Sequence, residues 1–525
     1  MKKTLITPLF LICLCALALR LGALVVVDYP GIADPTHYYN LALRLLHGHG
    51  FTIDYIWQYN LPPAAITHPE EHWMPLTAVI AAGSMALFGE TARAALLPFA
   101  ILGALLPVIG YLAARQLNLS RGASLFSAAA LAVLPEYLLY STRTDTLIPS
   151  ALCMGAAVLC LTAGLRRTGA GAWAALVGCG VLGGLGYLTR SDGGLLLPML
   201  VVVVIAYRLF ARPALSVPVL LRAVALVTIP FALVVAPWIA RNLSAIGMAG
   251  SPETADMFFF TDNLDHFAFG RTFTLQTMLA NATPAQLIGK RLFEFAAAVK
   301  VMITTLDVVL PVAVAGGLIL LIGARDRLKL LSLAPVLILL LGILVAYPIL
   351  IPFKSQAGSF KKAALSILPL LIPLGAYAFE RAISDPRVRA GAMALTLALA
   401  TVNGIDALRL EQALVGRYRG SIEAMVATAQ TLPDRTGDGV IILMTQDPFI
   451  IRYAGLQSVM YPFEPIETVI AVARRYGVDY LLFPADRYPF EALQADPTAD
   501  SRFFAAGAVP DTDFSFFAIV DEDAP

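Results

Sequence analysis

ALALRLGALVVVDYPGIADPTHYYNLALRLLHGHGF, residues 16–51, is the stretch on which the reading of this chain turns. It begins inside an apolar span and ends in a polar, aromatic loop that carries Asp34. That loop continues to residue 73. Over 28–73 it holds five of the six histidines, two of the four tryptophans, and the acids Asp34, Asp54, Glu70 and Glu71. A helical pattern follows Asp34 (Tyr38, Leu41, Ala42, Leu45), with Pro35 pre-set for a first turn. An Asp there suits an N-cap. It suits equally a general base near the membrane surface, deprotonating a hydroxyl about to attack an electrophile.

The chain around this loop is apolar. Of its 525 residues 58% are hydrophobic and 14% charged, against about 25% charged in ordinary soluble domains. With a mean hydropathy of +0.75, it reads as a polytopic α-helical membrane protein. The net charge of +1 points to no nucleic-acid partner. The five cysteines all lie in apolar runs, which gives neither a disulfide framework nor a thiolate metal site.

Runs of about 20 apolar residues mark eleven spans, near 5–27, 94–115, 122–141, 146–165, 172–189, 195–211, 221–240, 300–323, 331–352, 363–381 and 389–406. The first is read as an uncleaved span entering from the cytoplasm behind Lys2 and Lys3. Residues 75–88 are apolar but short and are read as an interfacial helix. With that assignment Arg115 and Arg121, Arg166 and Arg167, Arg208, Arg212 and Arg222, Arg325, Arg327 and Lys329, and Arg381, Arg387 and Arg389 all fall on the cytoplasmic side. The first loop (28–93), the turns at 143–145 and 190–192, the loop 241–299, the turn 353–362 and the C-terminal tail then face outward. A multi-pass protein of the inner, or cell, membrane is expected, with transmembrane domain 1–408 and an external, periplasmic α/β domain 409–525. In that domain 440–444, 458–461, 480–483 and 514–520 read as strands, 421–432 and 466–476 as helices, and 406–410 as the linker. Asp511-Thr512-Asp513 spells D-x-D, but it sits among turn residues and is read as a turn.

The opening stretch resembles the start of the GT-C glycosyltransferases, and more closely the family 39 type, which includes protein O-mannosyltransferases and lipid A aminoarabinose transferases. The resemblance rests on Arg20 in Leu-Arg-Leu, Asp34, Tyr38 or Tyr39, Ala42, and Gly48-x-Gly50-Phe51. Further segments fit: 75–93, Thr142-Arg143-Thr144-Asp145, the run Phe360-Lys361-Lys362 with Pro369, and the stretch from Asp447 to Phe483. Many members carry Asp-Glu where this chain has Asp34-Pro35. The resemblance implies a polyprenyl-phosphate-linked sugar donor and an inverting transfer to a lipid, glycan or protein acceptor outside the membrane. It makes Asp34 the base and Asp145 its partner in catalysis. Arg20, His37, Tyr38, Glu71, His72, Arg143, Lys361 and Lys362 become candidate substrate-binding residues, amid membrane lipids.

Residue chemistry bears on these assignments. Lys361 and Lys362 lie outside against the positive-inside trend. They read as snorkelling anchors or as a clamp on a lipid phosphate, with Lys354 as a possible third member. Arg20 is costly in a span unless paired, with Asp34 or a lipid phosphate as its expected partner. Arg143–Asp145 and Arg190–Asp192 read either as local ion pairs or as site residues. His68 and His72 have an i,i+4 spacing that can ligate zinc on a helix, but Pro69 intervenes. No cofactor is expected, and a divalent metal is the alternative. Trp57 and Trp73 suit either a sugar face or the membrane interface. The rival functions are a transporter or lipid flippase, a polysaccharide ligase or polymerase, and a non-catalytic scaffold. A transporter would often show repeated halves and midplane charges, and the sequence shows neither.

Overall fold

The structure, a computed structural model, describes residues 3–211, 216–350, 358–437 and 439–520. Lys354 lies outside the described residues. The chain divides into two compact units. One comprises Met1–Asp28, Trp73–Ala249 and Pro284–Leu410; the other comprises Tyr29–His72, Gly250–Thr283 and Glu411–Pro525.

The first unit is helical. Among the described residues, eight helices are long and apolar enough to cross a membrane: Thr7–Val26, Ala92–Gln116, Leu147–Arg166, Ala170–Thr189, Ser191–Phe210, Val217–Ile246, Arg327–Leu350 and Pro386–Ala429. A ninth candidate is the pair Ser359–Leu370 and Ile372–Ala382, bent by 45°. These nine answer nine of the eleven expected spans. The other two are broken into shorter helices. Residues 122–141 become Arg121–Val133 and Pro135–Tyr140, because Pro135 has no N–H to continue the ladder. Residues 300–323 become the end of Pro284–Thr304 and Leu310–Gly323, separated at Asp307, whose φ is +68°. Residues 75–88 do form a helix, Leu76–Phe88. Its 13 residues rise only about 20 Å, short of the roughly 30 Å hydrocarbon core. Buried Leu, Ile, Val and Ala side chains join the helices into one core. Large apolar residues such as Leu233 and Val312 are exposed, as a lipid-facing surface requires.

The second unit holds the opening loop. Strands β1 (Thr52–Asp54) and β2 (Thr67–Pro69) pair antiparallel, Ile53 opposite His68. The C-terminal stretch adds β3 (Ile442–Thr445), β4 (Gln457–Met460), β5 (Tyr480–Pro484), β6 (Phe503–Ala508) and β7 (Phe514–Ile519). They form one mixed sheet in the order β4-β3-β5-β7-β6. β3 runs parallel to β4 and β5, and β7 antiparallel to β5 and β6. Helix Ile466–Arg475 buries Val469, Val472 and Ala473 in a core with Met444, Val459, Leu481 and Phe483. Phe483 stacks on Phe490 at 4.4 Å and on Phe517 at 5.0 Å. Asp511–Asp513 is the turn between β6 and β7.

Two sequence expectations need correction here. Strand β6 was not anticipated, because FFAAGA is a half-exposed edge strand with a bulge between Ala505 and Gly507 and shows no two-residue alternation. Residues 406–410 are not a linker. They lie inside one 44-residue helix, Pro386–Ala429, whose interior has no proline and is rich in Ala, Leu and Arg, all good helix formers.

Candidate functional site

In the second unit, helix Asp34–Leu46 positions the opening acid. Asp34 is its first residue, half-buried, and the N-cap is Ala33 with no side-chain cap hydrogen bond. The capping role that sequence allowed is therefore not the one Asp34 takes. Ala33 has φ +65°, a backbone conformation that non-glycine residues rarely adopt, and it immediately precedes the acid at the mouth of the helix. The helix buries Pro35 to Ala42. Asn40 Nδ2 donates to Phe449 O at 2.7 Å. The helix ends at His47, and Gly48 at φ +78° supplies the left-handed residue that turns the chain out. Arg44 Nη2 donates to Thr52 Oγ1 at 2.8 Å. Asp54 takes Arg452 Nε at 2.7 Å. These contacts fix the loop on the C-terminal domain.

Beside the acid runs a chain of histidines and carboxylates. His37 is fully buried, with Nδ1 against the Tyr55 hydroxyl and Nε2 3.4 Å from Glu70 Oε2. Burial, opposed by the charges of Glu70 and Asp34, pushes the His37 pKa down to about 4. At neutral pH it is therefore a neutral imidazole, and its contact with Glu70 is not an ion pair. Burial also raises the Tyr55 hydroxyl well above its ordinary range, so it stays protonated and can donate to Nδ1. Glu70 Oε1 accepts from the His72 backbone N–H at 2.7 Å.

His72 Nδ1 is 2.8 Å from Glu253 Oε1, and His266 Nδ1 is 2.9 Å from Glu253 Oε2. Asn60 Nδ2 donates to Glu253 Oε2 at 3.3 Å. Burial disfavours charge on His72, but Glu253, with Glu70 and Asp34, outweighs it and raises the His72 pKa. Burial likewise works against charge on Glu253, yet His72 and His266 hold its carboxyl well below the usual range. The His72 ring lies 4.6 Å from the Trp57 ring, tilted by 45° to it. Tyr38 and Glu71 are buried, and the Tyr38 ring meets His37 edge-on at 5.2 Å. Asp34 thus sits within electrostatic reach of His37, Tyr55 and His72.

Glu253 and His266 were not singled out from sequence. They arrive from the loop 241–299, almost two hundred residues after His72. The signal available was that His266, the sixth histidine, lies in the other long polar loop together with acids.

In the first unit a second polar network gathers the other candidates. Lys362 Nζ is 2.7 Å from Asp145 Oδ2, both buried. Asp145 Oδ1 also accepts from Leu147 N at 3.1 Å and Thr146 Oγ1 at 3.2 Å. Thr146 Oγ1 accepts from Arg190 Nη1 at 3.2 Å. Arg190 forks onto Asp192, with Nη2 2.6 Å from Oδ2, and Tyr347 OH donates to the same oxygen at 2.8 Å. Lys361 Nζ is 2.7 Å from Glu136 Oε1. The Tyr140 ring carries Arg143 at 5.0 Å and Lys361 at 5.9 Å. Four cations (Arg143, Arg190, Lys361, Lys362) stand with three carboxylates (Glu136, Asp145, Asp192), a balance of 4 − 3 = +1. The lysines are therefore not a bare pair of charges, since each holds a carboxylate. Arg190 and Asp192, singled out from sequence, do form a local ion pair and join this network, while Tyr347 and Glu136 extend it beyond the residues read from sequence.

Arg20 takes a different place from the one expected. It is fully buried among helices of the first unit. Nε donates to Ser141 Oγ at 3.0 Å, and Nη1 to the carbonyls of Ala16 and Ala132, each at 3.0 Å. Its guanidinium ties three helices together by capping free carbonyls. Neither an acid nor a phosphate is needed to satisfy it.

His68 lies in β2 rather than on a helix with His72, so the i,i+4 zinc geometry does not form. Among the described residues no group of three or more His, Cys, Asp or Glu is placed to hold a metal ion.

Residues 67–238 match the model of the family described as dolichyl-phosphate-mannose-protein mannosyltransferase. No curated protein matches the chain. Among solved structures the chain is similar to the archaeal oligosaccharyltransferase AglB from Archaeoglobus fulgidus, in complex with an inhibitory peptide and a dolichol-phosphate. The TM-score is 0.56 at 14% identity, over 100% of this chain and 75% of that one. It is similar also to ArnT from Cupriavidus metallidurans in the apo state, with TM-score 0.59 at 17% identity over 96% and 97% of the two chains. ArnT bound to undecaprenyl phosphate gives 0.56 at 16% identity over 98% of each. The family model covers less than half of the chain. Over nearly its whole length the chain shares the fold of these structures, a polytopic helical membrane fold with a small C-terminal α/β domain.

Proposed function

We propose that this protein transfers a sugar from a polyprenyl-phosphate-linked donor to an acceptor hydroxyl on the outer side of the membrane, with inversion at the anomeric carbon. Asp34 takes the proton of the acceptor hydroxyl. The oxygen's electron pair forms the new bond to the anomeric carbon while the bond to the phosphate oxygen breaks. Its electrons leave with polyprenyl phosphate, and the proton later passes from Asp34 to water. In the second unit, the buried Glu70, Glu253 and His72 hold the surroundings of Asp34 in one electrostatic state, and neutral His37 adds no competing cation. In the first unit, Lys361, Lys362, Arg143 and Arg190 supply charge for the leaving phosphate. Asp145 acts as a positioning residue that holds Lys362 in place. The outward location is supported by the distribution of Lys and Arg. The lipid-linked donor is supported by the dolichol-phosphate and undecaprenyl phosphate carried by the similar structures.

One observation carries the reading: on a GT-C fold, the first-loop acid stands at the head of a buried helix, directly after the strained Ala33 and within electrostatic reach of His37 and His72. Purified protein given a polyprenyl-phosphate sugar and an acceptor extract should release polyprenyl phosphate in step with sugar transfer. Transfer supported by a nucleotide sugar with no lipid-linked intermediate would contradict it. The mass of the glycan lost on gene deletion identifies the sugar and the acceptor.

A further inference from the structure

The first unit holds an apolar groove that the proposed transfer reaction does not use. It is a groove of about 440 Å³ between helices Leu196–Phe210 and Arg327–Val345, lined by Ala206, Leu209, Phe210, Leu330, Ala334 and Arg327. That volume lies in the range of ligand-binding pockets. Its walls are apolar, and Leu209, Phe210 and Leu328 beside it are more than half exposed, as side chains facing lipid are. Arg327 stands exposed at its rim.

The same helix ends carry Arg208, Arg325 and Lys329, with Asp326 as the acid among them. Asp326 is taken by Lys329, through both its backbone N–H and its ammonium. Arg208, Arg325 and Arg327 have no carboxylate partner among the described residues. The two helices are braced at this level by Tyr207 OH donating to Leu331 O at 2.9 Å, and a third, Leu147–Arg166, holds the second of them through Arg166 Nη1 donating to Ser332 Oγ at 2.6 Å.

The far ends of the two helices identify the leaflet. Helix Leu196–Phe210 begins just after Arg190 and Asp192, and helix Arg327–Val345 runs toward Tyr347, which bonds Asp192. The groove and that polar network therefore sit at opposite ends of the same two helices. The longer helix, of 19 residues, rises about 28 Å, close to the roughly 30 Å hydrocarbon core. A lipid in the groove thus belongs to the other leaflet, on the side where Lys and Arg accumulate.

We infer that this groove binds an anionic glycerophospholipid of the cytoplasmic leaflet, its acyl chain along Leu209, Leu330 and Ala334 and its phosphate on Arg327, with Arg208 and Arg325 adding charge. Basic pockets between spans on that face have the chemistry for such headgroups. The inference goes beyond the proposed reaction and does not need Asp34.

Native mass spectrometry of the full-length protein in detergent, titrated with dioleoyl phosphatidylglycerol, tests it. One tightly bound phosphatidylglycerol is expected, at least tenfold preferred over phosphatidylcholine. Arg327→Glu, an exposed substitution, and Ala334→Phe, which fills the groove, should each weaken it at least tenfold. Arg387→Glu, exposed at the start of helix Pro386–Ala429 elsewhere in the unit, should leave it unchanged. Equal binding of the two phospholipids, or wild-type affinity in both groove variants, would overturn the inference. So would displacement of phosphatidylglycerol by equimolar polyprenyl phosphate, which would make the groove a donor site.

Discussion

Glu253 is the residue whose surroundings make the sharpest demand. It is buried between His72 and His266, so removing its charge leaves a cationic His72 without its partner. Glu253→Gln should destabilise the protein by about 3–5 kcal/mol, read as a lowered midpoint of thermal unfolding in detergent. The pH dependence has two opposed parts. His37, lowered to about 4 from an unfolded value near 6.5, binds a proton in the unfolded chain before the folded one does. It contributes stability that is present above about pH 6.5 and is lost as pH falls toward 4. His72 is raised, so its contribution is present below about 6.5 and is lost as pH rises through its folded value. Glu253 is depressed, and its share is lost only on strong acidification. A His37→Asn variant should therefore show a flatter decline of unfolding temperature between pH 6.5 and 4, and His72→Asn a flatter decline on the alkaline side. At this scale the sequence was half legible. Asp34, His37 and His72 stand out as polar residues in a greasy chain. Their partners Tyr55 and Glu253 do not, because a contact spanning many residues leaves no local pattern.

At the level of elements, apolar length and Lys/Arg placement carried most of the information. Spans of 20 residues without charge have few other uses, and nine of the eleven found their helix or bent pair. What remained hidden was breakage, at Pro135 and at Asp307, and continuity, at 406–410. Leu408→Pro tests the last point. In the continuous helix it should cost about 3 kcal/mol and open a protease-sensitive site, whereas a true linker would absorb it. The Arg20 lock makes a separate demand. A Cβ on Gly103 would lie 2.1 Å from Ser141 Oγ and 2.7 Å from Arg20 Nε. Gly103→Ala should therefore push the arginine off its carbonyls and lower the unfolding temperature of the helical unit. Gly22→Ala, with open space at its Cβ, should change it little.

For the molecule as a whole, the proposed sidedness places the two ends of the membrane unit in different compartments. On a background with the native cysteines removed, Ser120→Cys should react only with reagent from the cytoplasmic side, and Thr498→Cys in the C-terminal domain only from outside. The reverse pattern would take the site out of the compartment in which the acceptor is proposed to lie. Membrane class was legible from composition, and the small α/β domain from the hydrophobic periodicity of the C-terminal stretch. The division into units was less so, because Tyr29–His72 and Gly250–Thr283 group with the C-terminal stretch. That grouping depends on pairings such as Ile56 with Val459 and Phe463 N with Phe267 O, which join residues hundreds of positions apart.

The proposed mechanism stands or falls on Asp34. With purified protein, a polyprenyl-phosphate sugar and the acceptor, Asp34→Asn should cut release of polyprenyl phosphate by about 10²–10⁴-fold. The unfolding temperature should stay near that of the unaltered protein, so that lost turnover reports lost chemistry, and Asp34→Glu should restore part of the rate. Full turnover by the folded Asp34→Asn protein would contradict the assignment of the base.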